Sequence, residues 1–104
     1  MALTSSIISA GTGTQIFLSS GDQALTTIMF CNTDSYTDAT LTVHAVGNGN
    51  LVGTSTMVLK AISLPATETF IMDTEKLILA NQDAIYAVAS VGGIIAATVS
   101  SVSI

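Results

Sequence analysis

The chain has no Arg and no Trp, a single Cys, His and Pro, and charge on only 9% of its 104 residues. Each shortage closes off a class of explanation. One thiol cannot bridge within the chain, so there is no disulfide framework and cysteine usage assigns no redox compartment. Lys60 and Lys76 are the only basic side chains apart from His44, and the net charge is -5. Nucleic-acid binding needs several cations to displace the counterions condensed on phosphates, so no nucleic-acid partner is expected. Without Trp, the strongest stacking platform for a sugar ring is missing.

Targeting signals are scarce too. The opening MALTSSIISAGTG carries neither a basic n-region nor a sustained apolar stretch, and does not read as a signal peptide. The last 21 residues, AIYAVASVGGIIAATVSSVSI, are uncharged and long enough to cross a bilayer. Gly92-Gly93 interrupts them, however, and no basic cluster flanks them. Their β-branched and small side chains suit paired strands better than a helix, so no membrane partner is expected.

What is present points to a β domain. Apolar residues make up 49% of the chain, and Ser and Thr occupy much of the place that charge usually takes. A surface of that kind is polar but weakly charged, and we expect other protein chains to cover part of it. The length reads as one domain over 1–104, with 1–13 an extended N-terminal arm. A chain this long can bury a real core without disulfide or metal.

Alternation is the dominant signal. In Ala39–Val46 the apolar Ala39, Leu41, Val43 and Ala45 alternate with Thr40, Thr42 and His44. This is a half-buried strand with His44 on its outward face. Ala24–Cys31 is apolar on both parities, as in a strand covered on both faces, which would bury Cys31. NTDSYTD between them reads as a hairpin-like or sheet-crossing connection built on Asx-type turns. GNGN at 47–50 supplies residues that accept positive φ. Further strands are expected at Gln15–Ser19, Met57–Leu64, Glu68–Met72, Lys76–Leu79, Ala84–Ser90 and Ile94–Ile104. The apolar parity slips between Val99 and Val102, implying a bulge or bend. No stretch holds a helical period. The reading is all-β, a single antiparallel β-sandwich of jelly-roll or immunoglobulin-like type with about seven to eight strands.

The constellations that could carry chemistry are thin. A Cys31–His44 nucleophilic pair lacks any surrounding hydrolase signature and any third group to orient the base. Those two residues also fall short of a zinc set, and no CxxC or HxxxH spacing occurs. Asn32, Asp34 and Asp38 place oxygens in one loop, but Tyr36 and Val43 stand where a calcium loop needs an oxygen and a bidentate Glu. Asp22, Asp73 and Asp83 could contribute only from separate loops. GTGTQ lacks the Lys-Ser/Thr and the strand-to-helix context of a phosphate loop. Asp73 and Glu75 share a face only if a strand runs through what reads as a turn. No catalytic residue, metal site or cofactor is expected, and the chain is not read as an enzyme.

Larger blocks carry a resemblance. TTIMFCNTDSYTDATLTVHAVGNGN and ISLPATETFIMDTEKLILANQDAIYAVASVGGIIAATVSSVSI resemble small β-sandwich virion proteins of tailed bacteriophages, cyanophages included. The matching elements are Cys31-Asn32-Thr33, Leu64–Thr69, Leu77–Ile85 and Ala97–Ile104, within a span from about Gln15 to the end. The resemblance implies a non-enzymatic structural role in the virion, as a capsid decoration (cement) subunit or a neck, tail or fibre component. Its partners would be other virion proteins, with a homo-oligomer expected and a trimer favoured. An alternative is a host-surface glycan-binding module using NTDSYTD and GNGN. The uncharged C-terminal stretch, apolar on both parities, is expected to be an edge strand that another chain covers.

Overall fold

Alternating segments of this kind need two surfaces to bury against, and the chain supplies both. The computed structural model describes residues 2–10, 13–72 and 77–104. Among them are nine strands: β1 (Ala2–Ile7), β2 (Thr14–Leu18), β3 (Gln23–Asn32), β4 (Ala39–Val46), β5 (Met57–Leu64), β6 (Thr69–Met72), β7 (Leu77–Leu79), β8 (Ala84–Ala89) and β9 (Ile95–Ser103). All their pairings are antiparallel. One sheet runs β1-β9-β3-β6, with β7 also against β3, and the other runs β2-β8-β4-β5.

β6 and β7 lie end to end along β3, opposite Ile28–Cys31 and Gln23–Leu25 respectively. Taken as one interrupted position, they leave eight positions in two sheets of four. The chain changes sheet at every step except β4 to β5. That is the jelly-roll order of the double-sheet folds, which decides between the two sandwich types expected. The connection from Asn32 to Ala39 accordingly crosses between sheets and is not a hairpin.

The core is the space between the two inner faces. From the first sheet come Ile28, Phe30, Ile95, Ala97 and Val99; from the second come Leu41, Val43, Ile85, Ala87 and Ala89. Phe30 is completely buried, a burial that contributes on the order of 2–3 kcal/mol. Bulges adjust the fit. The β3–β9 register shifts between Leu25 and Thr27, so the parity slip seen near Val99–Val102 is absorbed by β3 instead. In β5, Ala61 takes a positive φ of 48° where the β4–β5 register slips, and its amide donates to Thr42 Oγ1 at 3.0 Å.

Loops at one end are tied together by side chains rather than by length. Asp83 accepts from the Asn48 amide at 2.8 Å and the Ala80 amide at 2.9 Å, while Asn81 Oδ1 accepts from the Gly21 amide at 2.8 Å. Three loops thereby share one hub. Near the other end Gly92 runs hard against Ala10, whose backbone N would lie 3.0 Å from an added Cβ. Only glycine lets those backbones approach so closely.

Three expectations change. Six residues of the expected arm, Ala2–Ile7, form β1 in register against β9. β9 is therefore an inner strand, paired on both sides, and not the open edge. His44 does lie on the outward parity of β4, yet it is buried at 5% exposure. A 3₁₀ turn at Thr54–Thr56 supplies Thr56 Oγ1, 3.0 Å from His44 Nδ1. No helix among the described residues is long and apolar enough to cross a membrane, and the uncharged C-terminal stretch is β8, a turn and β9.

Candidate protein–protein interface

Antiparallel partners in register present their side chains to the same face. On the first sheet this sorts each row into core or solvent. The outward rows are Leu3–Ser100–Thr27, Ser5–Thr98–Met29–Ile71, Ile7–Ala96–Cys31–Thr69 and Val102–Ala24–Ile78. Not one of these positions carries a charge. Several are large, apolar and exposed: Leu3 at 70%, Ile78 at 64%, and Ile7 and Ile71 at 52% each. The described charged residues lie elsewhere, Asp22, Asp34, Asp38, Glu68 and Asp83 between strands and Lys60 on β5. Asp73, Glu75 and Lys76 fall outside the described residues.

The second sheet treats its outer face differently. There the row Gln15–Tyr86–His44–Met57 has three polar members, each with a side-chain hydrogen bond. Tyr86 Oη donates to Gln15 Oε1 at 3.0 Å. Thr56 Oγ1 lies 2.9 Å from the Gly53 carbonyl and 3.0 Å from His44 Nδ1, and so ties the imidazole to the turn. The first face has Thr26 Oγ1 donating to Ser100 Oγ at 2.9 Å, yet it leaves Leu3, Ile7, Ile71 and Ile78 bare. Exposed Leu and Ile side chains set among Ser and Thr, with no charge among the described residues of the face, suit an interaction surface, whose core is depleted of charge.

Cys31 belongs to that bare face. It pairs with Ala96 and Thr69 on the outward parity and is half-buried, so the expectation of a core cysteine is corrected. β3 is apolar on both parities because one parity fills the core and the other faces outward, uncovered. Cys31 and His44 occupy opposite outer faces, with the core between them, and cannot share a proton. Thiol labelling of the native chain is expected to proceed without denaturant and to slow when the face is covered. A thiol that reacts only in denaturant would return Cys31 to the core.

The acidic loop builds a turn. Asn32 is fully buried; its Nδ2 donates to the carbonyls of Thr37 at 2.8 Å and Leu64 at 3.0 Å, and its Oδ1 accepts from the Asp34 amide. Asp34 Oδ2 accepts from the amides of Tyr36 and Thr37, and Asp38 Oδ1 from that of Ala66. The Thr37 hydroxyl and then those two amides hold the Asp34 carboxyl below its usual range. The support this gives the loop is complete above the ordinary carboxylate range and is lost only as pH falls through the lowered value. Among the described residues no cluster of three or more His, Cys, Asp or Glu could hold a metal, and no pocket opens for a small molecule. Asn32, Asp34 and Asp38 do stay together in one loop, where their side-chain oxygens accept from backbone amides.

What sequence reading missed is the face itself. Its signal was β1, where the apolar Leu3 and Ile7 point outward while Thr4 and Ser6 share the core-side parity. No family model, curated protein or solved structure matches the chain.

Proposed function

We propose that the chain is a non-enzymatic structural subunit of a bacteriophage virion, acting as a capsid decoration protein or a neck, tail or fibre component. It works by packing the outer face of β1-β9-β3-β6, which has no charge among its described residues, against another virion protein. That face is the observation that carries the reading. Exposed Leu3, Ile7, Ile71 and Ile78 gain by leaving water, and no described residue of the face is an ionised group that would have to be desolvated. The jelly-roll order agrees with it, since capsid proteins use that architecture, though lectins and cupins share it and the fold alone assigns no function. The virion as location is what the resemblance to tailed-phage virion proteins implies.

The test is incorporation. Ile71→Lys places a cation on the β6 side of the face at an exposed position, so folding should be unchanged while binding to particles lacking the subunit is lost. Incorporation equal to wild type, with the thermal melt intact, would remove the face from the mechanism. Copies per particle counted by mass spectrometry then distinguish a capsid site from a tail site.

A second reading, glycan binding, has one observation in its favour. Tyr36 is 93% exposed at the tip of a loop held by Asn32 and Asp34. An aromatic ring presented in this way can stack on a sugar. Glycan-array binding abolished by Tyr36→Ala would support it over the packing reading.

A further inference from the structure

The two sheets have four edges, and three carry recognised guards against pairing with another chain. β5 has Lys60 and a bulge with Ala61 in a left-handed conformation. β2 has five residues and a register break around Ile16. The far edge of the first sheet consists of two short pieces, β6 with four residues and β7 with three. β1 differs from all of these. It runs six residues in unbroken register with β9, without charge, Pro or bulge. Unguarded edges of that length are templates for another strand.

The hydrogen-bond phase of β1 says what such a strand would meet. The Ile8 amide donates to the Ile95 carbonyl at 3.0 Å, continuing the register in which Ile7 lies opposite Ala96. Alternate residues of an antiparallel strand direct both backbone groups to the same side. Thr4 and Ser6 therefore bond toward β9, while Leu3, Ser5 and Ile7 direct N–H and C=O to the free edge. The same three residues project their side chains onto the bare outer face.

We propose that β1 pairs antiparallel with β1 of a second copy across a twofold axis at Ser5, joining two sheets into one. The strand is self-complementary about that residue. Ser5 opposes Ser5, and Leu3 of each copy opposes Ile7 of the other, so that the two exposed apolar side chains of β1 cover each other. All three of these pairs are of the hydrogen-bonded kind, exchanging two bonds each. The twofold closes the assembly, because the edges left over are the guarded ones. This replaces the threefold arrangement implied by the resemblance. Leu3 and Ile7 belong to both surfaces, but the pairing rests on the backbone edge at Ser5 and the packing reading is tested at Ile71, so the failure of either leaves the other standing.

Light scattering and sedimentation of the purified chain should give twice the 10.6 kDa monomer mass at micromolar concentration. Ser5→Pro removes an N–H that points away from β9, so the intramolecular ladder keeps its bonds and the melt should stay near wild type, while the dimer is lost. Ser5→Lys is the second variant, setting two like charges against each other at the axis, and should likewise give monomer. Lys60→Ala, on a different edge, should remain dimeric. A monomeric or trimeric wild type overturns the proposal, as does a dimer that survives Ser5→Lys with its fold intact.

Discussion

Val43→Asp should yield no folded protein at 25 °C. Val43 has no exposed surface and sits in β4 between Ala87 on β8 and Leu59 on β5, within the common core. A carboxylate there finds neither water nor a cation, and ionised or protonated it costs several kcal/mol by order of magnitude. The whole stability of a domain this size is about 5–15 kcal/mol. Far-UV circular dichroism and urea titration check the result. A cooperative transition within about 1 kcal/mol of wild type would mean that the strand register is shifted by one. The neighbouring position sharpens the test. Sequence alternation alone made His44→Ala nearly free; with its ring buried and bonded to Thr56, the expected loss is about 1–2 kcal/mol. The order of the two effects, Val43→Asp far worse than His44→Ala, follows from which parity lines the core.

The second large effect is expected at Asn32. Its side-chain amide bridges the acidic loop and the end of β5, serving the carbonyls of Thr37 and Leu64 at once. Asn32→Leu has similar volume but leaves both carbonyls and the Asp34 amide without that partner. Each stranded group costs about 1–3 kcal/mol, so a loss on the order of 3–5 kcal/mol is expected after partial relaxation. Asn32→Asp should be no better. It keeps an acceptor for the Asp34 amide but aims a negative oxygen at two carbonyls. Urea midpoints of the two variants within experimental error of wild type would show that water serves these carbonyls as well as Asn32 does.

Much of this molecule was legible before any coordinates. Strands at Ala39–Val46 and Met57–Leu64 were read to the residue, because side-chain alternation is a local property that a strand displays along its own length. The turn role of Asn32 and Asp34 was legible for a similar reason, since their bonds run mostly to backbone within a few residues, whereas Asp38 accepts from the distant Ala66 amide. β1 was not legible. Its large apolar residues, Leu3 and Ile7, face away from the core while Thr4 and Ser6 take the core-side parity, so its pattern argues against itself until β9 lies beside it.

The same division decides the candidate site. That β3 is apolar on both parities was plain in Ala24–Cys31, and the inference that both faces must be covered was reasonable. Only the tertiary structure shows which parity the protein's own second sheet covers. Ile28 and Phe30 go inward, and Met29 and Cys31 are left for something else. The burial of His44 likewise depends on a turn ten residues and more away, which no periodicity in β4 encodes. Local alternation determined that there would be strands, and of what length. Sheet order, an outcome of pairing between distant segments, decided which faces were closed, which edge stayed open and which side chains were left to meet another chain.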